Sequence, residues 1–326
     1  MTRPGLLQQC LYSERDEDVL AANFRLFRIF EATDQDAFLA DNARNIRAIA
    51  GRGDLVVDRK LISVLPNLEI VSVFGAGYDG VDVDAASEAG VIVTNTPDVL
   101  SGDVADLAVG LYLAVMRDLV TADAYVRQGI WKERGPYRLF NRVGGRTAGI
   151  VGLGRIGREI AGRLAALGMN ILYWSRTDKA AADWTRVEGR HELAARSDVL
   201  FVALAANRDT FHFVDRGMIE AVGPEGVIVN ISRGSTIDEQ VLLDSLENRR
   251  LGAAGLDVFA DEPDVNRRFC HLDNVVLHPH HGSGTIESRR EMGELVTGNL
   301  IAHFRGKLPL TPVNADRVGK SKTTGS

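Results

Sequence analysis

The sequence is poor in cysteine and has no excess of positive charge. Its two cysteines, Cys10 and Cys270, cannot form a disulfide framework, and neither belongs to a C-x-x-C pair of the kind that binds zinc. So few cysteines predict a protein of a reducing compartment. The 38 basic residues are outnumbered by 44 acidic ones, which leaves a net charge of −6. A dedicated nucleic-acid-binding protein carries a basic surface, so we expect no nucleic-acid partner.

Long hydrophobic runs are also missing. The segment Met1–Asp18 holds no apolar stretch of signal-peptide length, and the longest apolar run, Leu107–Met116, is too short to cross a bilayer. We therefore expect no membrane partner and a cytoplasmic location. The chain does have 45% hydrophobic residues and 33 glycines among 326 residues. This composition is ordinary for a globular protein, and the length favours two domains.

Short β-rich runs alternate with helical stretches along most of the chain. Most of the later runs are apolar throughout, which is typical of strands in a parallel sheet with helices on both faces. The sequence therefore predicts an α/β fold with two Rossmann-like, doubly wound parallel sheets. The strand candidates are Phe24–Ile29, Ile46–Ala50, Ile70–Phe74 and Val91–Thr94 in the first series, and Ala148–Leu153, Asn170–Trp174, Val199–Leu204, Val227–Ile231, Ala253–Val258 and Val275–Leu277 in the second.

A long helix is predicted between the two series of strands. Ser101 is a suitable N-cap, and the helix expected from Asp103 to Arg127 has apolar residues almost all round. Such a helix should be buried on several sides, including against a second subunit. We therefore predict a homodimer.

A glycine-rich motif follows the first strand of the second series. In G-x-G-x-x-G the first glycine allows a tight turn, the second lets the backbone approach a pyrophosphate, and the third lets the helix pack on the strand. The N–H groups at the start of that helix then face the phosphates. We therefore predict dinucleotide binding; a glycine-rich turn chosen only for packing is the alternative. The cofactor-binding candidates here are Gly152, Leu153, Gly154, Arg155, Ile156 and Gly157.

The residues after the next strand indicate which dinucleotide is bound. An NAD site places an acidic residue about 20 residues past the glycines, where it accepts the ribose hydroxyls. This chain has Ser175, Arg176 and Thr177 there. A guanidinium flanked by hydroxyls binds a 2′-phosphate, so we predict NADP as the preferred cofactor, with NAD possible. In the alternative, Arg176 is a solvated charge and Asp178 contacts the ribose.

Three polar clusters follow the later strands, where ligands bind in open α/β sheets. They are Ser232-Arg233-Gly234, then Asp257 with Asp261-Glu262-Pro263, and finally the segment from His278 to Gly282. The last cluster has three histidines in four residues. They lack the H-x₃₋₅-H spacing of zinc sites and have no cysteine nearby, so we predict no metal.

These clusters and several further segments together resemble the D-2-hydroxyacid dehydrogenase family, in its glyoxylate/hydroxypyruvate reductase and hydroxyphenylpyruvate reductase branch. The resemblance extends from about Leu65 to Val313. The matching segments are Gly75-Ala76-Gly77-Tyr78-Asp79, Asn95-Thr96-Pro97-Asp98-Val99-Leu100, Gly152 to Gly157, Asn230-Ile231-Ser232-Arg233-Gly234, Gly255-Leu256-Asp257-Val258-Phe259, Asp261-Glu262-Pro263 and Pro279-His280-His281-Gly282-Ser283.

The resemblance implies the catalytic residues. Arg233 should bind the carboxylate and carbonyl of a 2-oxo acid, His280 should protonate the developing alkoxide, and Glu262 should hydrogen-bond the imidazole. Asp257 should meet the nicotinamide carboxamide. The chemistry itself calls for these residue types, because hydride transfer to a carbonyl creates an alkoxide that needs a cation and a proton donor. His278 and His281 are interpreted as bystanders.

The resemblance also implies how substrate and domains are arranged. The expected reaction is reduction of a small 2-oxo acid, glyoxylate or hydroxypyruvate, to the D-2-hydroxy acid in a cleft between two domains. The backbone N–H groups of Gly75, Ala76 and Gly77 should bind the substrate carboxylate. Residues 1–99 are expected to begin a substrate domain and 100–285 to form the dinucleotide-binding domain. A helix at Glu287–Phe304 should return to the substrate domain within residues 286–326, and the polar tail Asn314–Ser326 should be disordered.

Some features leave alternatives open. The segment Leu204–Thr210 departs from the family pattern, which puts its cofactor contacts in doubt. Arg52, facing the cleft, would favour a substrate with extra acidic or hydroxyl groups. Trp131 resembles an aromatic residue that reaches the partner's active site in relatives, although a core role is equally consistent. Larger 2-oxo acids such as 2-ketogluconate or hydroxyphenylpyruvate remain alternative substrates. A dinucleotide-sensing binding protein, like the corepressors that share this fold, is the alternative from another functional class.

Overall fold

Two all-parallel β-sheets organise the chain in a computed structural model, which describes residues 3–53, 56–177, 179 and 183–321. The first sheet has the strand order β2-β1-β3-β4-β5, and the second has the order β12-β11-β10-β9-β6-β7-β8. In chain order the strands are β1 (Gly5–Gln8), β2 (Arg25–Arg28), β3 (Ile46–Arg52), β4 (Ile70–Phe74), β5 (Ile92–Thr94), β6 (Thr147–Val151), β7 (Asn170–Trp174), β8 (Thr185–Arg186), β9 (Val199–Val202), β10 (Val227–Asn230), β11 (Ala253–Leu256) and β12 (Val275–Leu277).

Helices connect most consecutive strands, and many begin at an aspartate. Asp34, Asp58 and Asp82 each accept a hydrogen bond from a backbone N–H of the first helical turn, which satisfies one of the donors that a helix start leaves unpaired. The helices are α1 (Glu14–Asn23), α2 (Gln35–Asn42), α3 (Arg59–Val64), α4 (Val83–Glu88), α5 (Ser101–Met116), α6 (Leu119–Arg127), α7 (Ile130–Arg134), α8 (Arg155–Ala166), α9 (Arg190–Ala195), α10 (Arg216–Val222), α11 (Glu239–Glu247), α12 (Ile286–Phe304) and α13 (Ala315–Ser321).

Contacts divide the chain into two compact units. One unit comprises the residues up to Leu100 together with those from Thr285 onward, and the other comprises Ser101–Gly284. The first unit holds the five-stranded sheet and the second the seven-stranded sheet. The prediction of two doubly wound parallel α/β sheets is therefore confirmed.

Helices cover both faces of the first sheet. Neighbouring residues of a strand point to opposite faces: Leu6 packs with Val296 and Leu300 of α12, whereas Leu7 belongs to the apolar cluster on the other face, with Phe38 of α2. Burial on both faces explains why these strands are apolar throughout rather than alternating with polar residues.

The second sheet is layered in the same way. Leu200 of β9 belongs to a large buried cluster with residues of α9, α10 and α11. Its neighbour Phe201 faces the opposite side, where the ring of Tyr112 in α5 meets it edge-on at 5.7 Å between centroids. The sheet core is therefore closed by helices on both sides, and the strand ends are left to carry polar residues.

The single helix predicted from Asp103 to Arg127 is wrong, because the structure contains two helices there. Asp118 lies between α5 and α6 with a left-handed backbone (φ 50°) that no helix interior adopts. Its carboxylate accepts hydrogen bonds from the hydroxyl of Tyr137 at 2.7 Å and from Arg138 at 2.8 Å. No residue of α6 is buried within the single chain, in contrast to α5.

The expectation of a disordered tail is also wrong for the described part of that tail. Helix α13 forms at Ala315–Ser321, and Asn314 before it is fully buried. The Asn314 side chain accepts a hydrogen bond from the N–H of Val93 at 2.8 Å and donates to Ser87 Oγ and the carbonyl of Val91. These bonds attach the segment to the edge of the first sheet. Residues 322–326 lie outside the described part.

Two short strands, β1 and β8, were not predicted. Strand β1 is only four residues long. Its Gly5 packs against the backbone of Asn45, where an added Cβ would be 2.0 Å from the carbonyl oxygen. Strand β8 has two residues. Runs this short fall below the length at which periodicity is informative. Among the described residues, none of the helices combines the length and the apolar character that crossing a membrane requires.

We predict that Asn314→Ala destabilises the first unit by about 1 to 3 kcal/mol, because a buried backbone N–H loses its acceptor and two further hydrogen bonds disappear. Urea unfolding and amide exchange at Val93 would measure the effect. Asp316→Ala, an exposed substitution two residues away, is the control. An Asn314→Ala unfolding midpoint equal to that of the control would contradict the assigned role.

Candidate functional site

The glycine loop joins β6 to α8 and leaves an open space at the helix start. Gly152 has a left-handed φ of 99°, and a Cβ there would be 2.8 Å from the carbonyl oxygen of Ala203. A Cβ on Gly157 would be 2.1 Å from the oxygen of Gly152. In contrast, a Cβ on Gly154 would meet no atom within 4 Å. The backbone is therefore tightly packed on one side and open on the side where the first N–H groups of α8 are unpaired.

This arrangement fits a dinucleotide pyrophosphate. Unpaired N–H groups and the positive end of the helix dipole favour an anion at the start of α8, and Gly154 presents no side chain that would exclude one. Of the other residues in the motif, Leu153 is buried, Ile156 is partly buried and Arg155 is exposed. The buried side chain of Leu153 packs beneath the loop, so Leu153 could contact a ligand only through its backbone.

The predicted NADP determinants follow β7, the strand next to β6. Ser175 is buried, and its hydroxyl donates to the carbonyl of Thr177 at 2.7 Å, which shapes the turn. Arg176 and Thr177 are exposed at the carboxyl end of the strand. Asp178, the alternative ribose ligand, lies outside the described residues.

A hydrogen-bonded turn after β10 presents Arg233. The side chain of Asn230, the last residue of β10, bonds the carbonyl of Arg233 at 3.0 Å, and Thr236 Oγ1 bonds the same carbonyl at 2.7 Å. Gly234 follows, and a Cβ there would lie 1.9 Å from the carbonyl carbon of Phe259. The turn is therefore fixed both by its own hydrogen bonds and by close contact with the segment after β11. The Arg233 side chain is partly exposed.

A buried carboxylate joins the segments after β11 and β12. Asp257 Oδ1 lies 2.6 Å from His278 Nδ1 and accepts the N–H of His281 at 2.8 Å, while Oδ2 accepts the N–H of Gly282 at 3.0 Å. The Asp257 side chain is only 3% exposed. Because Leu256 pairs with Leu277 in the parallel ladder, the next residues of both strands, Asp257 and His278, come side by side.

The segment held by Asp257 carries His280. His280 has a left-handed φ of 47°, which is uncommon for a residue other than glycine. Its Nδ1 lies 2.5 Å from Glu262 Oε2, and the other oxygen of Glu262 accepts the N–H of Phe259 at 2.8 Å. The His280 side chain is 41% exposed.

Opposing effects act on the Glu262 carboxyl group. Burial alone raises the pKa of Glu262, but hydrogen bonds from His280 and Phe259, together with the positive charges of His280 and Arg233, lower it below its usual value. Glu262 therefore stays ionised at neutral pH.

The remaining predicted residues belong to the first unit. Arg52 ends β3 with an exposed side chain, and Gly75, Ala76 and Gly77 directly follow β4. The carbonyl of Gly75 accepts the N–H of Thr96 at 2.9 Å. The carbonyl of Ala76 accepts the Asn95 side-chain amide at 2.8 Å.

The role of His278 was missed by reasoning from the sequence, which treated it as a bystander. The sequence did contain a signal for this contact. Asp257 and His278 each directly follow a strand, and because β11 and β12 are parallel neighbours, the residues that follow them lie side by side. His281 is exposed. Within the described residues no group of three or more potential metal ligands occurs. Trp131 on α7 is 59% exposed, so it is not a core residue of the single chain.

Comparison with known proteins identifies the family. Residues 109–282 match the model of the D-isomer specific 2-hydroxyacid dehydrogenase NAD binding domain. The chain is 48% identical to hydroxyphenylpyruvate reductase of Plectranthus scutellarioides over 95% of this chain and 98% of that protein. It is 47% identical, with the same coverage, to a glyoxylate/hydroxypyruvate reductase A of Arabidopsis thaliana.

Comparison with solved structures indicates the same family. A 2-hydroxyacid dehydrogenase from Ketogulonicigenium vulgare is 52% identical and superposes with a TM-score of 0.90 over 96% of this chain and 99% of that one. The NADPH-dependent glyoxylate/hydroxypyruvate reductase of Sinorhizobium meliloti, solved with NADP and malonate, is 39% identical, with a TM-score of 0.88 over 96% and 97%. On the family match and on this similarity along nearly its whole length, the chain belongs to the D-isomer-specific 2-hydroxyacid dehydrogenase family.

Proposed function

We propose that this protein reduces small 2-oxo acids, with glyoxylate and hydroxypyruvate as the expected substrates, to D-2-hydroxy acids. One observation carries the proposal: His280 is hydrogen-bonded to Glu262, with Arg233 close enough to affect the same carboxylate. A proton donor, its carboxylate partner and a fixed cation are the groups that carbonyl reduction requires. The names of the plant and Sinorhizobium relatives support this substrate class.

The second unit has the residues to hold a nicotinamide dinucleotide. Gly152, Gly154 and the start of α8 would hold the pyrophosphate, and Ser175, Arg176 and Thr177 the adenosine end. When bound, the reduced nicotinamide supplies the hydride that adds to the carbonyl carbon. NADP preference rests on Arg176, whose exposed guanidinium can pair with a 2′-phosphate. The NADP complex of the Sinorhizobium relative is consistent with this preference.

Arg233 binds the substrate in this proposal. Its planar guanidinium matches a carboxylate and can also reach the neighbouring carbonyl oxygen, where negative charge develops. The hydrogen bonds from Asn230 and Thr236 to its own carbonyl fix the backbone from which the side chain extends. Such preorganisation makes the cation effective without rearrangement during the reaction.

His280 delivers the proton. Because Nδ1 is paired with Glu262, Nε2 is the nitrogen left to donate to the forming alkoxide. Glu262 orients the ring through this hydrogen bond. After the transfer, the neutral imidazole keeps its Nδ1 proton on the Glu262 bond, and in the reverse direction Nε2 accepts the proton of the hydroxy acid.

Asp257 has two roles in the proposal. Its three hydrogen bonds hold the segment on which His280 lies. A carboxylate has about four acceptor sites, and the described partners of Asp257 take three of them, so Asp257 would have one site left for a nicotinamide carboxamide N–H. Gly75, Ala76, Gly77 and Arg52 stay predictions as substrate-binding residues.

Two further predictions are retained. Leu119, Val120 and Val126 of α6 are each more than half exposed, as is Trp131 of α7. An apolar surface of this kind supports the predicted homodimer. A cytoplasmic location also stays a prediction.

The relatives include a 2-ketogluconate reductase from Gluconobacter oxydans, 40% identical, so larger 2-oxo acids remain the second candidate substrate class.

The first test is turnover of NADPH or NADH with glyoxylate, hydroxypyruvate, pyruvate, 2-ketogluconate and 4-hydroxyphenylpyruvate.

We predict that Arg233→Met lowers kcat/KM for the best 2-oxo acid by about 100-fold or more, because the cation that pairs with the substrate is lost. Fluorescence titration should show dinucleotide binding within about twofold of wild type, since the glycine loop is intact. Arg250→Met, at an exposed arginine after α11, is the control. Full activity of Arg233→Met would refute the assignment.

The Glu262 carboxylate generates a pH prediction. Its pKa is lowered, so it remains negative as pH falls through the usual glutamate range and still pairs with His280 there. We predict that wild-type kcat/KM for reduction shows no acid limb in that range, and that Glu262→Gln lowers kcat/KM at neutral pH by about tenfold or more, because the charged partner of the proton donor is lost. Asp261→Asn, at the adjacent exposed acid, should keep the wild-type rate. Full activity of Glu262→Gln would show that this carboxylate does not act on the proton donor.

The cofactor prediction concerns Arg176. Arg176→Gln should lower the ratio of kcat/KM for NADPH to that for NADH by about tenfold or more, because the 2′-phosphate loses a charged partner. Arg142→Gln, at another exposed arginine of the second unit, should keep the wild-type ratio. A wild-type enzyme that prefers NADH would overturn the NADP assignment.

A further inference from the structure

The glycine loop of the second unit lies between the segments that follow β7 and β9. The strand order β9-β6-β7 places these segments on either side of Gly152, which follows β6. The N–H of Gly152 donates to the carbonyl of Trp174, the last residue of β7, at 2.9 Å. On the other side, a Cβ on Gly152 would be 2.8 Å from the oxygen of Ala203 and 3.1 Å from the Leu204 side chain. A ligand bound at the glycine loop therefore lies next to both segments.

The segment after β9 returns to the end of β7. Phe213, at the far end of this segment, is buried, and the centroid of its ring lies 4.7 Å from that of Trp174. Residues 205–212 are therefore attached at both ends, through Leu204 to the glycine loop and through Phe213 to Trp174. Because Arg176 follows Trp174 closely, its stretch and residues 205–212 are neighbours at the carboxyl edge of the second sheet.

Hydrogen bonds give the segment after β9 a fixed turn that presents Arg208. The N–H of Asn207 donates to Thr210 Oγ1 at 2.8 Å, and that hydroxyl donates to the carbonyl of Ala205 at 2.9 Å. The N–H of Asp209 donates to Asn207 Oδ1 at 2.9 Å. These bonds form a capping box, which holds the backbone of Arg208. The Arg208 side chain itself is exposed, so its guanidinium is accessible to a ligand.

Arg176 and Arg208 both have charges that a bound anion could pair with. Other arginines of the second unit form salt bridges with carboxylates, as Arg163, Arg190 and Arg268 do. Within the described part of the chain, no carboxylate pairs with Arg176 or Arg208, and both side chains are exposed. A phosphate group would supply each of them with the charge-assisted hydrogen bonds that a guanidinium forms most strongly.

We propose that Arg208 binds the 2′-phosphate of NADP together with Arg176, so that the segment after β9 takes part in cofactor selection. The inference rests on the NADP preference of the proposed function and names a second residue for it. A phosphate monoester carries a charge of about −1.5 to −2 at neutral pH, so one guanidinium leaves part of this charge unpaired. A second guanidinium, from the neighbouring segment, can pair with the remaining phosphate oxygens. NAD lacks the 2′-phosphate, so Arg208 should have little effect on NAD binding.

The test compares two ligands that differ only in the 2′-phosphate, adenosine 2′,5′-bisphosphate and adenosine 5′-monophosphate. Calorimetry with the whole chain measures both dissociation constants without any turnover. We predict that the wild type binds the bisphosphate more tightly by about tenfold or more, because charge-assisted hydrogen bonds to the phosphate are added. Raising the salt concentration to about 0.5 M should reduce this ratio, because exposed charges are screened.

Variants assign the preference to Arg208. Arg208→Gln should lower the ratio by about fivefold and leave binding of the monophosphate unchanged, because only the 2′-phosphate loses a partner. Arg208→Lys should retain part of the ratio, because the charge remains while the planar fork is lost. Arg250→Gln, at another exposed arginine of the second unit, is the matched control and should keep the wild-type ratio. A wild-type ratio in Arg208→Gln, or an equal loss in Arg250→Gln, would overturn the inference.

The outcomes separate this inference from the proposed function. A ratio that falls in Arg176→Gln but not in Arg208→Gln would reject the role of Arg208 and leave the NADP assignment standing. Equal binding of the two ligands by the wild type would reject both, while reduction of a 2-oxo acid with NADH would still support the reductase function. If no 2-oxo acid is reduced with either dinucleotide, the function fails, and a ratio lowered in Arg208→Gln alone would still support the 2′-phosphate site.

Discussion

The buried carboxylate of Asp257 is the interaction on which the arrangement of the site depends. A charge with so little exposure is costly unless hydrogen bonds replace its water. Here the partners are His278 and the backbone N–H groups of His281 and Gly282. In satisfying one carboxylate, the chain fixes the segment that contains His280, including its left-handed backbone. The imidazole is thereby held where Glu262 can pair with it.

The parallel order of the second sheet explains why residues so distant in sequence come together. In such a sheet the carboxyl ends of all strands lie at one edge, and ligands bind there. The glycine loop follows β6, Arg176 follows β7, Arg233 follows β10, Asp257 follows β11 and His280 follows β12. Five of the seven strands are thus followed by one element of the proposed chemistry, while the mostly apolar strands form the support.

The first sheet has the same geometry. Arg52 and the Gly75–Gly77 segment follow neighbouring strands, and α12 adds Arg289 from more than two hundred residues further along the chain. The sheet therefore brings these residues to its carboxyl edge.

Sequence patterns alone determined much of this protein. Apolar runs located ten of the strands, because a strand buried on both faces is apolar throughout. The spacing of three glycines predicted the turn between β6 and α8, because each glycine has a steric reason. The catalytic candidates Arg233, Glu262 and His280 were likewise found in the sequence through their resemblance to a family. The break between helices α5 and α6 at Asp118 was not predicted, because it depends on hydrogen bonds from Tyr137 and Arg138.

Only the tertiary structure decided the contacts between distant segments. The bond between Asp257 and His278, the attachment of Asn314 to β5 and the position of Arg289 over Phe74 each join residues whose separation in sequence contains no periodic signal. Local periodicity reports whether a residue is buried in its own element. Which side chains meet is set by strand register and by the packing of helices on the sheets, and these exist only once the chain has folded.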